Sequence, residues 1–534
     1  VDVDPIQLEL FRNLFEAAAE EMGIALQRTS FSANIKERRD FSCALFDANA
    51  TLLAQAAHIP VHLGSMPASV AACVERLGRL REGDVAIVND PFAGGTHLPD
   101  ITLVSPVYAD GTLIGYAANR AHHADVGGAS PGSMTLSRHI DEEGVRIEPA
   151  LLHRGGVPDD AVLGRLLSAA RAPQERVGDL AAQLTANRVG AAALVKMAAA
   201  HGRDVVARCA SAIVDYSRRS MEAVIAGIPD GVYRFADTLD DDGVVADAAA
   251  RVPIRATLTV AGPRAVVDLR DSSPQVAGCV NCPRAVTASA AYYCFGLLLA
   301  DALGEGVPMN GGCFAPIELL TTPGTVVDAA YPAAVVAGNT ETSQRVVDVV
   351  LGCLAQAVPG RIPAASCGTM SSVALGTEGT GAWTYYETIG GGSGAGPRGH
   401  GASAVQCHMT NTLCTPAEAL EMQYPLRVVR FERARGTGGA GAHRGGDGIV
   451  REIELLADEA AGTVLSDRRA TRPWGLRADA GTAGANAILR ADGTAEPLAG
   501  KARFTLRRGD RLRVTTPGGG GWAGTPTDTP HEAL

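Results

Sequence analysis

The run DITLVSPVYADGTLIGYAANRAHHAD, residues 100–125, leaves the backbone few choices. Two apolar stretches flank Asp110-Gly111, a dipeptide that tolerates the left-handed φ values of a tight hairpin turn, so two antiparallel strands are expected here. A hairpin returns both of its ends to one side of a sheet. His97 and Asp100 stand before the first strand, and His122, His123 and Asp125 follow the second. The turn therefore gathers histidines and aspartates from both ends without any further assumption.

His97-x-x-Asp100 with His122 supplies two imidazoles and a carboxylate. That donor set suits a catalytic Zn, Mn or Fe dication that keeps coordination positions open. A lone histidine is more often a packed or surface side chain; three histidines and two aspartates at the ends of one hairpin favour a metal centre. Asp40, in KERRDFSCALF, and His58 and His62, in HIPVHLG, are further donors in the same region. Asp40 follows Arg38 and Arg39, and on that evidence alone it reads as a salt-bridge partner.

Other motifs carry less. Cys279-x-x-Cys282 has metal or redox spacing, but no second pair lies at zinc-ribbon distance. The glycine-rich stretches 389–401 and 516–522 lack a Walker lysine-serine and a strand-GxGxxG-helix setting, so flexible or close-packed loops are expected. Cys407, His408 and Asn411, in VQCHMTNT, suggest a cysteine nucleophile with helpers. Neighbours along a strand point to opposite faces, however, so Cys407 and His408 are not expected to pair, and His408 reads as a structural or pocket residue.

A chain of 534 residues exceeds what one core usually serves, so several domains are expected. Asp4-Pro5 caps an amphipathic helix with Phe11, Phe15, Ala18 and Met22 on one face. DFSCALFDANATLLAQ reads as a strand pair, MPASVAACVERLGRL as helix, and residues 160–225 as continuous helix. Strand patterning resumes at IPDGVYRFADTLDDDG, and strands alternate with glycine turns from about 436. The expected fold is α+β, with mixed sheets, a helical segment in the N-terminal half and a β-rich C-terminal region. The expected division is a metal-binding α+β domain over 1–225, a central α+β domain over 226–435 and a β-rich region over 436–534. The residues after Trp522 read as loose.

A net charge of −11 with no basic stripe argues against nucleic acid or an anionic membrane as partner. The most apolar run, AYYCFGLLLADALG, is interrupted by Asp301 and reads as a buried helix. The 11 cysteines are odd in number and scattered, and the N-terminus lacks a basic-then-apolar signal pattern, so a cytoplasmic protein with reduced thiols is expected.

Segments IKERRDFSCALFD, HIPVHLGSMPASV, NDPFAGGTHLPDI, NRAHHADVGG, GNTETSQRVVDVV, YYETIGGG, MTNTLCTPAEALE, HRGGDGIVREI and TPGGGGW, in that order, resemble the hydantoinase B/5-oxoprolinase family over nearly the whole chain. The resemblance implies a metal-dependent hydrolytic subunit of an ATP-dependent cyclic amidase, acting on a hydantoin, 5-oxoproline or lactam ring. It implies a hydantoinase A type partner that uses ATP-Mg, in a hetero-oligomer such as (AB)2. It places one divalent metal on His97, Asp100 and His122, raises Asp40 to a further ligand, and leaves His123 and Asp125 to orient ligands or transfer protons. Within the same family a ketone carboxylase subunit of the acetone carboxylase type is the alternative; outside enzymology, a non-catalytic scaffold for the ATP-using subunit is another.

Overall fold

The computed structural model describes residues 3–56, 59–244, 251–379 and 381–523. The first helix starts where a cap makes it start: the Asp4 carboxylate accepts the Ile6 N–H at 3.2 Å, and Pro5 takes a position whose missing donor costs nothing. This helix, α1 (Pro5–Thr29), buries Phe11, Phe15, Ala18 and Met22 against α5 (Pro173–His201) and the first strand. The helical stretch expected over 160–225 is three helices: α4 (Asp160–Ala169), α5, and α6 (Arg203–Ala226). Ala172 at φ 52° and Gly202 at φ 86° are the two breaks, and neither conformation can continue a right-handed helix.

A seven-stranded sheet carries the N-terminal half. Its members are β1 (Phe41–Asp47), β2 (Leu52–Gln55), β3 (Val85–Val88), β4 (Asp100–Ala109), β5 (Thr112–His122), β6 (Ala150–Arg154) and β7 (Val157–Pro158), in the order β2-β1-β5-β4-β3-β6-β7. Both hairpins expected from the sequence are present, and Asp110 adopts φ 50° in the β4–β5 turn. Strand alternation loads both faces: Cys43 and Leu45 pack with α1, α5 and α6, while Ala44 and Phe46 pack with α3 (His62–Leu77). A sheet covered on both sides holds its strand ends firmly.

The central part pairs β8 (Gly231–Leu239), β9 (Val252–Ala261), β10 (Arg264–Asp268) and β11 (Ile317–Leu320) into one sheet in which only β10 and β11 run parallel. Against it lies the largest core, built around α7 (Arg284–Leu303) and α9 (Ser343–Ala357). By length and composition α7 could cross a membrane, but Cys294, Phe295, Leu298 and Leu299 are buried in this core. The short helices α2 (Ala33–Lys36), α8 (Gly311–Phe314) and α10 (Ala417–Gln423) complete the set.

The last core lies between two sheets. One orders β13 (Thr384–Glu387), β12 (Ser372–Gly376), β16 (Glu459–Leu465) and β19 (Lys501–Arg507); the other orders β14 (Leu426–Ala434), β15 (Gly448–Leu455), β20 (Arg511–Thr515), β17 (Ala485–Leu489) and β18 (Ala495–Leu498). Both draw strands from before and after residue 435, so hydrogen-bonded sheets continue through the position at which the sequence suggested a division. The expected α+β class matches the observed helices and sheets. The glycine-rich stretches are close-packed: Gly446 N–H donates to the Ser393 carbonyl and Gly519 N–H to the Gly446 carbonyl, both at 2.9 Å. A Cβ on Gly519 would sit 2.0 Å from the Ser393 oxygen.

Candidate metal centre

The antiparallel register builds the site. Asp100 opposes His122 across β4 and β5, and Phe41 opposes Ala121 across β1 and β5, so Asp40, His122 and Asp100 arrive at one end of three adjacent strands. The Asp40 carbonyl accepts the His122 N–H at 3.0 Å. His97 comes from the turn before β4, and α3 begins at His62. These residues line one buried cavity, with Tyr386 over the edge.

His97, Asp100 and His122 are each about 2 % exposed, and each offers a ligand atom within 4.8 Å of the others. His97 Nε2 lies 3.2 Å from His122 Nδ1, and His122 Nδ1 lies 3.3 Å from Asp100 Oδ1. Asp100 Oδ2 accepts the Thr96 hydroxyl at 2.5 Å and has His62 Nε2 at 3.4 Å. His62 is held in turn by Ser42, whose hydroxyl lies 2.8 Å from Nδ1. His122 stacks on the Tyr386 ring with centroids 4.6 Å apart, and the Arg38 guanidinium sits 5.0 Å from the same ring centre.

Burial pushes the His97 imidazole down to about 3 and lowers His62 as well, so both rings are neutral with free lone pairs. Burial also penalises the Asp100 carboxylate, but the imidazoles around it, His97 foremost, outweigh that and hold it well below the usual carboxylate range. Asp100 is therefore a buried anion, and among the described residues no arginine or lysine forms an ion pair with it. His97 Nδ1, His122 Nε2 and Asp100 Oδ1 are buried without a hydrogen-bond partner. Imidazole nitrogens and a hard anionic oxygen, buried and unsatisfied around one cavity, fit a divalent cation.

The other expected residues divide. Asp40 lines the cavity, beside the cluster the resemblance joins it to, and also has Arg38 Nη2 at 3.7 Å, the contact its sequence context suggested. His123 turns to the opposite face of the sheet, where Nε2 lies 2.9 Å from Gln183 Oε1 on α5. Asp125 is fully buried away from the cavity, accepting the Gly127, Gly132 and Arg171 backbone N–H groups and pairing with the Arg171 guanidinium at 2.9 Å. Neither lines the cavity, so the structure does not bring these two residues, left by the resemblance to orient ligands or transfer protons, into direct contact with it; strand alternation explains this for His123. His58 lies outside the described residues, as do 524–534, the segment expected to be loose.

Cys279 and Cys282 are buried in the central core, and none of the 11 cysteines forms a disulfide. His408 is not in a strand: it occupies a turn at φ 57°, with its ring edge-on to Tyr293. The opposite-faces argument for Cys407 and His408 therefore does not apply. Sequence reasoning did not single out the far wall of the cavity, which Asn339, Thr340, Met370, Tyr386, Thr388 and Thr410 supply from more than 200 residues away.

Known proteins share this arrangement of chain. The family model described as hydantoinase B/oxoprolinase matches residues 4–526. The 5-oxoprolinase 1 of Arabidopsis thaliana is 38 % identical over 97 % of this chain, which covers 42 % of that protein. The chain thus spans about two-fifths of the length of the 5-oxoprolinases it matches. A Pseudomonas protein named as the B component of a "Putative D-/L-hydantoinase" is 31 % identical over 100 % of this chain and 92 % of its own length. The ATP-dependent caprolactamase of Pseudomonas jessenii superposes with a TM-score of 0.89 at 28 % identity, covering 99 % of this chain and 93 % of the other. Acetone carboxylase shares the fold, with a TM-score of 0.87 at 17 % identity. The chain belongs to the hydantoinase B/oxoprolinase family.

Proposed function

We propose that this chain is the metal-bearing hydrolytic component of an ATP-dependent cyclic amidase, opening a hydantoin, 5-oxoproline or lactam ring. One divalent cation is held by His97, Asp100 and His122, with Asp40 as a fourth ligand from the neighbouring strand. The observation that carries this reading is the buried Asp100 carboxylate with three imidazoles around it and, among the described residues, no arginine or lysine in ion-pair contact with it. The printed names of the relatives support the substrate class, and the match to a hydantoinase B component over most of its length supports a separate ATP-using partner of the hydantoinase A type. Free cysteines throughout support a cytoplasmic site of action.

When bound, the cation supplies Lewis acidity and lowers the pKa of coordinated water. The chain's own groups prepare for it. Thr96 and His62 fix the Asp100 carboxylate, Ser42 fixes the His62 ring, and Tyr386 fixes the plane of His122 by stacking. Activation of the amide carbonyl with ATP belongs to the partner.

The test is metal analysis of the purified chain beside ATP-dependent turnover of cyclic amides by the reconstituted pair. One metal per chain and stoichiometric ring opening are expected. Turnover by a metal-free preparation overturns the metal role; incorporation of labelled bicarbonate into a ketone substrate, without amide hydrolysis, overturns the cyclic amidase.

A further inference from the structure

The polar atoms that line the cavity fall into two groups. Thr388 and Thr410 are already engaged: Thr388 Oγ1 accepts from Arg38 Nη2 at 2.9 Å and lies 2.8 Å from Thr412 Oγ1, and Thr410 Oγ1 lies 3.4 Å from the same Thr412 oxygen. Asn339 and Thr340 are not. Asn339 Oδ1 and Thr340 Oγ1 are buried without a hydrogen-bond partner, on residues only 4 % and 1 % exposed, and both residues line the cavity that holds the His/Asp cluster. An unsatisfied buried amide or hydroxyl is destabilising, so two adjacent ones need a reason.

The backbone adds a second observation. Residues Gly338–Thr342 form a π-helical turn immediately before α9. Such turns are rare and cluster at functional sites. A π turn has more residues per revolution than an α turn, so consecutive side chains diverge by a smaller angle, and Asn339 and Thr340 can face one cavity together. Close packing locks the turn: a Cβ on Gly338 would sit 1.9 Å from the Asn281 carbonyl oxygen, and the Thr342 hydroxyl donates to the Val280 carbonyl at 2.5 Å.

The chemistry of this wall is neutral. Among the described residues no lysine or arginine lines the cavity; Ile59, Val61 and Met370 are its apolar lining. A carboxamide beside a hydroxyl presents donors and acceptors side by side, matching the nitrogen and oxygen of a planar cis amide edge, the form a small ring imposes on its amide. We propose that Asn339 and Thr340 are substrate-positioning residues that hydrogen-bond the ring nitrogen and carbonyl edge of a cyclic amide, so that the site takes rings whose amide nitrogen carries no substituent. This rests on the cyclic amidase reading and names its substrate more narrowly. The water-sized space in the cavity is about 20 Å³, so ring binding requires the walls to part.

The test titrates the metal-loaded chain by calorimetry with 2-pyrrolidinone, hydantoin and N-methyl-2-pyrrolidinone, and measures turnover of the same compounds with ATP and the partner. We expect the wild type to bind 2-pyrrolidinone at least about tenfold more tightly than its N-methyl form. Thr340→Val and Asn339→Leu are expected to lose about tenfold in affinity and in KM for 2-pyrrolidinone, and most of the discrimination, with metal content unchanged; Thr340→Ser is expected to restore binding. Two different variants guard against a single misfolded one. Unchanged binding in both folded variants overturns the inference, as does a wild type that binds none of the three or binds the two pyrrolidinones equally. Selective binding without hydrolysis leaves the inference standing and overturns the cyclic amidase reading instead.

Discussion

Two buried clusters of charge show what completes a site and what leaves it open. In the first, Arg345 bridges Asp237, Asp348 and Asp467 at 2.9–3.1 Å, Arg468 pairs with Asp237 and Asp348 at 2.6 and 2.7 Å, and Lys501 reaches Asp467 at 2.9 Å. Three cations meet these three carboxylates, with Asp241 3.5 Å from Lys501 as a fourth, and together they tie β8, α9 and β19 to the segment after β16. In the second, Asp100 meets three imidazoles, and among the described residues no arginine or lysine is in ion-pair contact with it. The first cluster is an internal clamp. The second has the composition of a receptor for an outside cation.

The sharpest way to break this contrast is to remove a ligand from the second cluster. His97→Ala or Asp100→Ala should cut bound metal and ATP-dependent ring opening by more than about a hundredfold, since disturbing only the groups behind metal ligands already costs 10–100-fold. Elemental analysis with steady-state kinetics reads both, and full metal content in either variant would remove the distinction. In the first cluster, Arg345→Met strands buried carboxylates and should cost about 3–5 kcal/mol of stability. Chemical denaturation measures the loss, and metal content of the folded fraction should not change.

Chelation acts on the second cluster alone. At metal a hundredfold above its dissociation constant, the wild type should gain about 2.7 kcal/mol over the stripped protein. Arg345→Met should show the same increment. The smallest effect concerns Glu341, beside the clamp and fully buried, where burial pushes the carboxyl up to about 8. Its folded value lies above its unfolded one, so its stabilising contribution is complete below about pH 4.5 and lost as pH rises through about 8. Between pH 6 and 8 the wild type should lose about 1–2 kcal/mol that Glu341→Gln retains; parallel pH profiles of the two would exclude Glu341 as the source.

How far the sequence discloses these clusters depends on distance along the chain. The hairpin ends were legible because alternation and an Asp-Gly turn are local signals, and the pair they bring together is a direct consequence of register. Asp40 needed the resemblance, since its place beside His122 depends on a pairing between β1 and β5 that no turn specifies. Strand alternation could have separated His123 from His122; the motif grouped them and the sheet divides them. The Asn339–Thr340 wall, Tyr386 and the Arg345 clamp were invisible, because each depends on tertiary packing of segments with no local chemistry of their own. The same holds for the sheets that draw strands from both sides of residue 435, where paired strands lie up to about 90 residues apart.

The interleaved glycine stretches have a separate consequence. Residues 392, 446 and 519 come from three distant runs, and at each the atom a Cβ would strike is a main-chain carbonyl oxygen at 1.9–2.0 Å. Peptide planes lie against peptide planes there, with no flexible side chain to give way. A mutational scan should therefore reject almost every replacement in this seam as firmly as at His97, though none of these glycines lines the cavity of the His/Asp cluster. For this chain, intolerance alone is a poor guide to chemistry: the test that separates the two kinds of position is whether the rejected variant still folds.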